Sequence, residues 1–376
     1  MQNVDIDTYV RKLFIKKFKS FMEKTHHIGF EQIIEEISYE NNIERDSLIN
    51  NERIIDWYEN VYNQIFLKKL TELNANEIII NNAREICLIF HDKKEYYELE
   101  GISIDDFNTS LELLAYKSKQ EWNYSSPFTS FHLELFGCSY RCSLVNNSIK
   151  GTKGHQIFLR KLSESQFNLI DFVNSDLKEK FQEYIDTKKN IIVAGSTGSG
   201  KTTFLNSLIK EINPTEHIVC LEDTKEISLQ HKFATRLLAN GNTNKEMKDY
   251  CSYALRMSPD RIILGEIRSQ EVVPMVLAMN TGHNGFLTSI HANSATDSLN
   301  RLALLFSIYS ETGSNIDYEH IYKLICSNID IVVFVKNKRV SEIIEVIGCE
   351  KNNPIYNQVY PSLQEVSQLS SLQYLA

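Results

Sequence analysis

The spacing of hydrophobic positions changes character twice along the chain. Near the start, Val10, Leu13, Phe14, Phe18, Phe21 and Met22 recur at three- and four-residue intervals. Arg11, Lys12, Lys16, Lys17, Lys19 and Lys24 fall elsewhere. This spacing predicts an amphipathic helix with a basic outer face. A further helix is predicted from Ile54 to Leu70, carrying Ile54, Ile55, Val61, Tyr62, Ile65 and Phe66. A basic amphipathic helix can lie on a membrane surface. It can also pack in a small bundle with its lysines solvated, and that is the reading adopted for residues 1–70.

From about residue 71 the period shortens. EIIINN (77–82), ICLIFH (86–91) and FHLELFG (131–137) predict strands. SIDDFNTSLELLAYKSKQ (103–120) predicts a helix with Asp105 or Asp106 in its first turn. Strands, helix and strands in that order predict a small α+β domain over residues 71–165. From residue 166 to 376, aliphatic runs alternate with helical stretches. The runs are NIIVA (190–194), HIVCL (217–221), RIILG (261–265), FLTSI (286–290) and DIVVFV (330–335). Buried β-branched runs separated by helices predict an α/β domain with a mainly parallel sheet. In such sheets ligands lie beyond the carboxyl ends of the strands.

NIIVA runs directly into GSTGSGKTT (195–203), which fits G-x-x-x-x-G-K-[ST]. Glycines at 195, 198 and 200 let backbone N–H groups approach phosphate oxygens without a Cβ in the way. Ser196, Thr197, Ser199 and Thr203 complete the loop. Lys201 is expected at the β- and γ-phosphates and the Thr202 hydroxyl on Mg²⁺. TTFLNSLIKEI (202–212) has helical spacing, which supplies the strand, loop and helix that the motif requires. A chance match would carry no such context.

The other strand ends bring further polar groups. Glu222, Asp223, Thr224 and Glu226 follow HIVCL; Glu266 and Arg268 follow RIILG; Ser289 and His291 lie within and after FLTSI. Phosphoryl transfer to water needs a held Mg²⁺, a carboxylate for the attacking water and positive charge on the transition state. Glu222 and Glu266 are candidates for the carboxylate roles. His283 and His291 flank a Gly282/Gly285 turn and are read as contacts to the γ-phosphate. The residues alone thus give a Mg²⁺-dependent P-loop NTPase.

Bulk properties narrow the class. The chain has 376 residues, room for two or three domains, and a net charge of −9. An acidic balance argues against a non-specific grip on nucleic acid, although a local basic face remains compatible with it. Seven cysteines are scattered with no C-x-x-C pair, which predicts free thiols and no zinc site. No run of about eighteen apolar residues and no signal-peptide pattern occurs, so a cytoplasmic protein is expected.

Four blocks together resemble the type II/IV secretion ATPase superfamily: GSTGSGKTT (195–203), LEDTKEISL (221–229), LRMSPDRIILGEIR (255–268) and TGHNGFLTSIHANSATDSLNRL (281–302). They resemble its Walker A, Asp box, Walker B and His box in order and spacing. LEDT and ALRMSPDRII look like the branch with Tad/Flp pilus assembly and type IV secretion ring ATPases. The tetracysteine zinc insert usual in the type II branch is missing. Upstream, NEIIINN (76–82), SSPFTSFHLELFGCSYRCSLV (125–145) and IFLRKLS (157–163) resemble the family's N-terminal domain.

The resemblance implies a RecA-like ATPase domain and an N-terminal domain that closes on ATP. It implies a cytoplasmic homohexameric motor, peripheral at the inner face of the membrane through an inner-membrane platform protein of a pilus or secretion machine. Arg141 and Arg160 stand at positions of arginines that approach the phosphates, and Arg236 is similar to a family arginine between Asp box and Walker B. Glu266 would support Mg²⁺ and water, Glu222 would polarise the attacking water, and His291 would report the γ-phosphate. Two other readings stay open: a P-loop ATPase acting on nucleic acid, and a ring that binds ATP without hydrolysing it.

Overall fold

The computed structural model describes residues 6–23, 29–81, 84–90, 92–98, 100–151, 153–162, 167–239, 245–310 and 316–361. The chain divides into two compact units, Met1–Leu162 and Ser163–Ala376.

The first unit opens with α1 (Ile6–Glu23), α2 (Phe30–Asn41), α3 (Arg45–Ile49) and α4 (Glu52–Trp57). Val10 and Phe14 of α1 are fully buried against Ile33, Ile34 and Ile37 of α2, Leu48 of α3, and Ile54 and Trp57 of α4. The apolar stripe of α1 therefore packs in a helical bundle. Lys17 pairs with Glu36 and Glu40 of α2. The side chains of Phe18, Lys19, Phe21, Met22 and Lys24 lie outside the described residues.

The single helix expected from Ile54 to Leu70 is broken. After α4 the chain makes one π-helical turn, Tyr58–Tyr62, and then passes Gln64 at φ 52° into α5 (Ile65–Glu72). The break lets Tyr58 and Tyr62 stack at 4.8 Å beside Phe14. Aromatic packing thus overrides the run of helix formers.

The rest of this unit is a six-stranded antiparallel sheet with α6 (Ile104–Lys117). Its strands are β1 (Glu77–Asn81), β2 (Glu85–Ile89), β3 (Lys94–Glu98), β4 (Phe128–Leu135), β5 (Cys138–Val145) and β6 (Gln156–Lys161). They are ordered β3-β2-β1-β6-β5-β4. Ser103 caps α6 by accepting from the Asp106 N–H, and the Asp106 carboxylate accepts from the Trp57 indole. Ile78, Ile80, Leu88, Phe131, Cys142, Leu144, Ile157 and Leu159 line the buried face under α5 and α6. Period-2 alternation puts the intervening residues on the opposite face.

The second unit is a RecA-like α/β domain. Its strands are β7 (Ile191–Gly195), β8 (Ile218–Glu222), β9 (Ala234–Leu238), β10 (Arg261–Ile267), β11 (Leu287–His291), β12 (Ile331–Lys336), β13 (Arg339–Glu350) and β14 (Asn353–Tyr360). The order is β14-β13-β12-β7-β11-β10-β8-β9. The six strands from β12 to β9 are mutually parallel, and β13 and β14 return antiparallel. β7 and β8 are buried at every position, as strands covered on both faces must be. The covering helices are α7 (Ser175–Asp186), α8 (Lys201–Ile209), α9 (Met247–Ala254), α10 (Val272–Asn280), α11 (Ala295–Tyr309) and α12 (Tyr318–Asn328). No helix among the described residues is long and apolar enough to cross a membrane. All seven cysteines are free.

Candidate functional site

The site is built at the carboxyl edge of the parallel strands, where β7 hands over to α8. Gly195 closes β7 at φ 157°, Gly198 sits at φ 72° and Gly200 at φ 102°. At Gly195 the need for glycine is steric. A Cβ there would lie 2.4 Å from the Val335 carbonyl oxygen and 2.6 Å from Ser199 Oγ. The loop therefore hugs the end of β12, leaving Ser196, Thr197 and Gly198 exposed and Ser199 buried. Lys201 opens α8, and Thr202 and Thr203 follow half-buried in its first turn. The positive end of that helix faces the loop, as anion binding requires.

Register decides which groups face this loop. β11 pairs with β7 so that His291 stands opposite Gly195. Lys201 donates to the Ser196 carbonyl at 3.0 Å and lies 3.2 Å from His291 Nδ1. The other ring nitrogen, Nε2, lies 2.8 Å from Glu266 Oε1. Glu266 Oε2 in turn accepts from Arg268 Nε at 3.0 Å and Nη2 at 2.6 Å. Arg268 Nη1 reaches Asp223 at 3.2 Å. A continuous polar chain thus runs from the phosphate loop across three strand ends.

Electrostatics follow from this chain. Burial lowers the Lys201 pKa, and Glu266 pulls the other way. Burial also lowers the His291 pKa; Lys201 and Arg268 add to this, while Glu266 opposes it. The imidazole is therefore neutral at pH 7, with Nδ1 accepting from Lys201. Glu266 Oε1 is buried and faces Nε2 of the ring, the nitrogen that carries the imidazole proton when Nδ1 accepts from Lys201. A buried carboxylate oxygen of that kind suits a hard cation, and the Thr202 hydroxyl offers a second oxygen of the right type.

Glu222 ends β8 and is 97% shielded from solvent, with 3% exposure. Its Oε1 accepts from the Glu226 and Ile227 N–H groups at 2.8 and 2.7 Å. Oε2 accepts from Arg236 Nη1 at 2.6 Å, and Arg236 Nη2 donates to the Ile227 carbonyl at 2.6 Å. Burial pushes the Glu222 pKa up, against the pull of Arg236 and the two backbone donors. Both groups are thus engaged in holding the turn after β8.

His283 does not join the phosphate edge. It precedes β11, whereas His291 ends it, so the two histidines stand at opposite ends of a parallel strand. His283 lines a pocket of about 470 Å³ with Asp186, Lys188, Asp260 and Arg261, at the amino ends of β7, β10 and β11. The expectation that His283 contacts nucleotide is corrected by that topology.

In the first unit, Arg141 of β5 and Arg160 of β6 are direct cross-strand partners on the sheet face away from the core. Arg160 Nε lies 3.8 Å from Glu77 of β1. Two like charges directly opposite repel. Glu77, the partner of Arg160 on its other side, offsets part of that repulsion.

Two features escape the sequence reading. Glu271, 3% exposed, accepts from the Arg268 and Ser269 N–H groups and from the Ser269 hydroxyl, and so braces the segment after β10. The turn between β12 and β13 packs on the phosphate loop, with the Lys338 N–H donating to the Ser199 carbonyl at 2.8 Å. Asn337 between two β-rich runs is the one signal that points to that turn.

Known proteins agree with this architecture. The family model described as type II/IV secretion system protein matches residues 140–370. The conjugal transfer protein TrbB of Rhizobium radiobacter is 32% identical over 229 residues, 58% of this chain and 68% of TrbB. The type IV secretion system protein VirB11 of Bartonella henselae is 34% identical over 187 residues, 48% of this chain and 52% of VirB11. The chain thus spans about two thirds of the first of these relatives and about half of the second. In fold, it is similar to the Legionella pneumophila ATPase DotB, at TM-score 0.56 and 19% identity over 79% of each chain. Sequence match and strand-end chemistry converge: this chain, with its phosphate loop, belongs to the type II/IV secretion system protein family.

Proposed function

We propose that this chain is a cytoplasmic motor that assembles as a ring of six subunits and hydrolyses MgATP to drive a pilus or secretion machine at the inner face of the membrane. The observation that carries the reading is the polar chain from Lys201 through His291 to Glu266 and Arg268. It links the loop that holds phosphate to the groups that act on water, so the state of the nucleotide changes the partners of both.

Lys201 binds the β- and γ-phosphates and Thr202 ligates the metal. Thr202 and Glu266 would hold a Mg²⁺ there, and the ion would supply charge neutralisation for the reacting phosphoryl group. Glu266, its buried Oε1 beside His291, takes the roles of metal support and water orientation. His291 reports the γ-phosphate through Lys201. Glu222 and Arg236, each already engaged, serve as positioning residues for the turn after β8.

The domain of residues 71–165 closes on the nucleotide, with Arg141 and Arg160 meeting the phosphate charge. That closure is the motion read by an inner-membrane partner. Light scattering with and without an ATP analogue and Mg²⁺ tests the ring. A nucleotide-promoted species near six subunits supports it, and a monomer or dimer with the membrane partner also present contradicts it.

A further inference from the structure

We infer that the β12–β13 turn is part of the nucleotide site and that Lys338 supplies the bound nucleoside polyphosphate with a second cation from the same subunit. The inference rests on the nucleotide-binding reading above and adds a group that lies far beyond the P-loop in sequence.

The topology brings the turn there. β12 runs parallel to β7, so its carboxyl end reaches the same sheet edge as the phosphate loop. A two-residue turn, Asn337-Lys338, then sends the chain back along β13, with Lys336 paired to Arg339. The contact with the loop is close and specific. The Lys338 N–H donates to the Ser199 carbonyl at 2.8 Å, and the Val335 carbonyl crowds Gly195. A Cβ on Gly200 would stand 3.3 Å from Lys338 Cα and 3.8 Å from its Cγ. The lysine stem therefore runs over Gly200, one residue before Lys201.

The turn chemistry singles out the lysine. Asn337 and Lys338 both hold left-handed backbone, at φ 51° and 59°. Such a turn favours asparagine followed by glycine. Lysine in the second place is strained and adds nothing to the core, since Lys338 is exposed. Its N–H alone would serve the Ser199 contact, and glycine would provide that N–H. What lysine adds is an ammonium beside the loop expected to hold a polyphosphate. Lys336 and Arg339 flank it and raise the local positive potential.

The test is fluorescent-nucleotide titration of the full chain with Mg²⁺, using an ATP analogue and ADP, on wild type, Lys338→Gly, Lys338→Arg and Lys201→Ala. Glycine keeps the turn and its N–H and removes only the side chain. The proposal expects Lys338→Gly to bind about three- to tenfold more weakly, the scale of a half-solvated charge contact to phosphate. It expects Lys338→Arg to restore most of the affinity, and the wild-type advantage to shrink as salt rises. Equal affinity in wild type and Lys338→Gly, with binding lost in Lys201→Ala, would overturn the role of the turn alone. A wild-type chain that binds neither nucleotide would overturn the site reading together with the proposal.

Discussion

Lys201 Nζ lies 3.2 Å from His291 Nδ1, and the far nitrogen of the same ring lies 2.8 Å from Glu266. The imidazole therefore separates the ammonium of the phosphate loop from the carboxylate of the neighbouring strand end. Without an intervening ring the two charges would pair directly. With it, Lys201 stays available to phosphate, and Glu266 is held at the strand end between the ring and Arg268.

Replacing Lys201 removes the one loop cation that this arrangement holds in place. Lys201→Ala should lower ATP affinity and reduce hydrolysis by at least about a hundredfold, the scale of a lost charge-assisted phosphate contact in a shielded site. Nucleotide titration and phosphate release on the purified chain measure both.

The ring of His291 works only while neutral. Its pKa is depressed, so it is uncharged at pH 7 and gains a proton only in more acidic solution. A protonated ring would stop accepting from Lys201 and repel it. Turnover should therefore fall as pH drops below the ordinary histidine range, and His291→Gln should lose that acid limb. A pH–rate profile of both proteins checks the sign. An acid limb unchanged in His291→Gln would remove His291 from the account.

A buried ion pair fixes the opposite edge of the same sheet. Arg261, with a side chain 1% exposed, donates from Nε to Glu216 at 2.7 Å and from Nη2 to the Ile185 carbonyl at 2.6 Å. Glu216→Ala would leave the guanidinium buried without its carboxylate, which costs about 3–5 kcal/mol. Thermal or urea unfolding followed by circular dichroism should show that loss, and a change below about 1 kcal/mol would contradict the pairing.

The first unit carries its own titration. Lys117 lies 3.5 Å from the centre of the Tyr62 ring and donates to the Tyr62 carbonyl. Burial lowers its pKa from 10.5 to about 8. Between those values the folded state holds fewer protons than the unfolded state, so unfolding takes up a proton. Stability must then rise as pH climbs through that window, the sign expected for a depressed lysine. Both tryptophans, Trp57 and Trp122, lie in this unit, so indole fluorescence reports its unfolding. Urea midpoints should increase from pH 8 toward pH 10 in wild type and stay flat in Lys117→Met.

The phosphate loop, the parallel strands and the strand-end carboxylates were legible because each rests on local pattern. NIIVA, HIVCL and RIILG are short β-branched runs, and the residues after them fall at one sheet edge by topology alone. His283 was misplaced because local spacing does not say which end of a strand a residue occupies. It lies four residues before a strand of roughly 17 Å, and His291 ends that strand. The β5 and β6 strands, CSYRCSLV and QIFLRK, do alternate, with Arg141 and Arg160 on the open face, but which strands pair to bring the two arginines opposite each other is not written in either pattern. The contacts of Glu222 with Arg236, and of Lys338 with Ser199, join residues distant in sequence and become visible only once strands pair.

The most direct test of the account is to compare ATP retention with turnover in Glu266→Gln. The glutamine keeps size and one carbonyl oxygen but cannot support metal or water as a carboxylate does. The account predicts that the variant binds MgATP about as well as wild type while phosphate release falls by at least about a hundredfold, the scale of a lost general base or metal support. Wild-type turnover in Glu266→Gln would contradict it and take Glu266 out of the reaction.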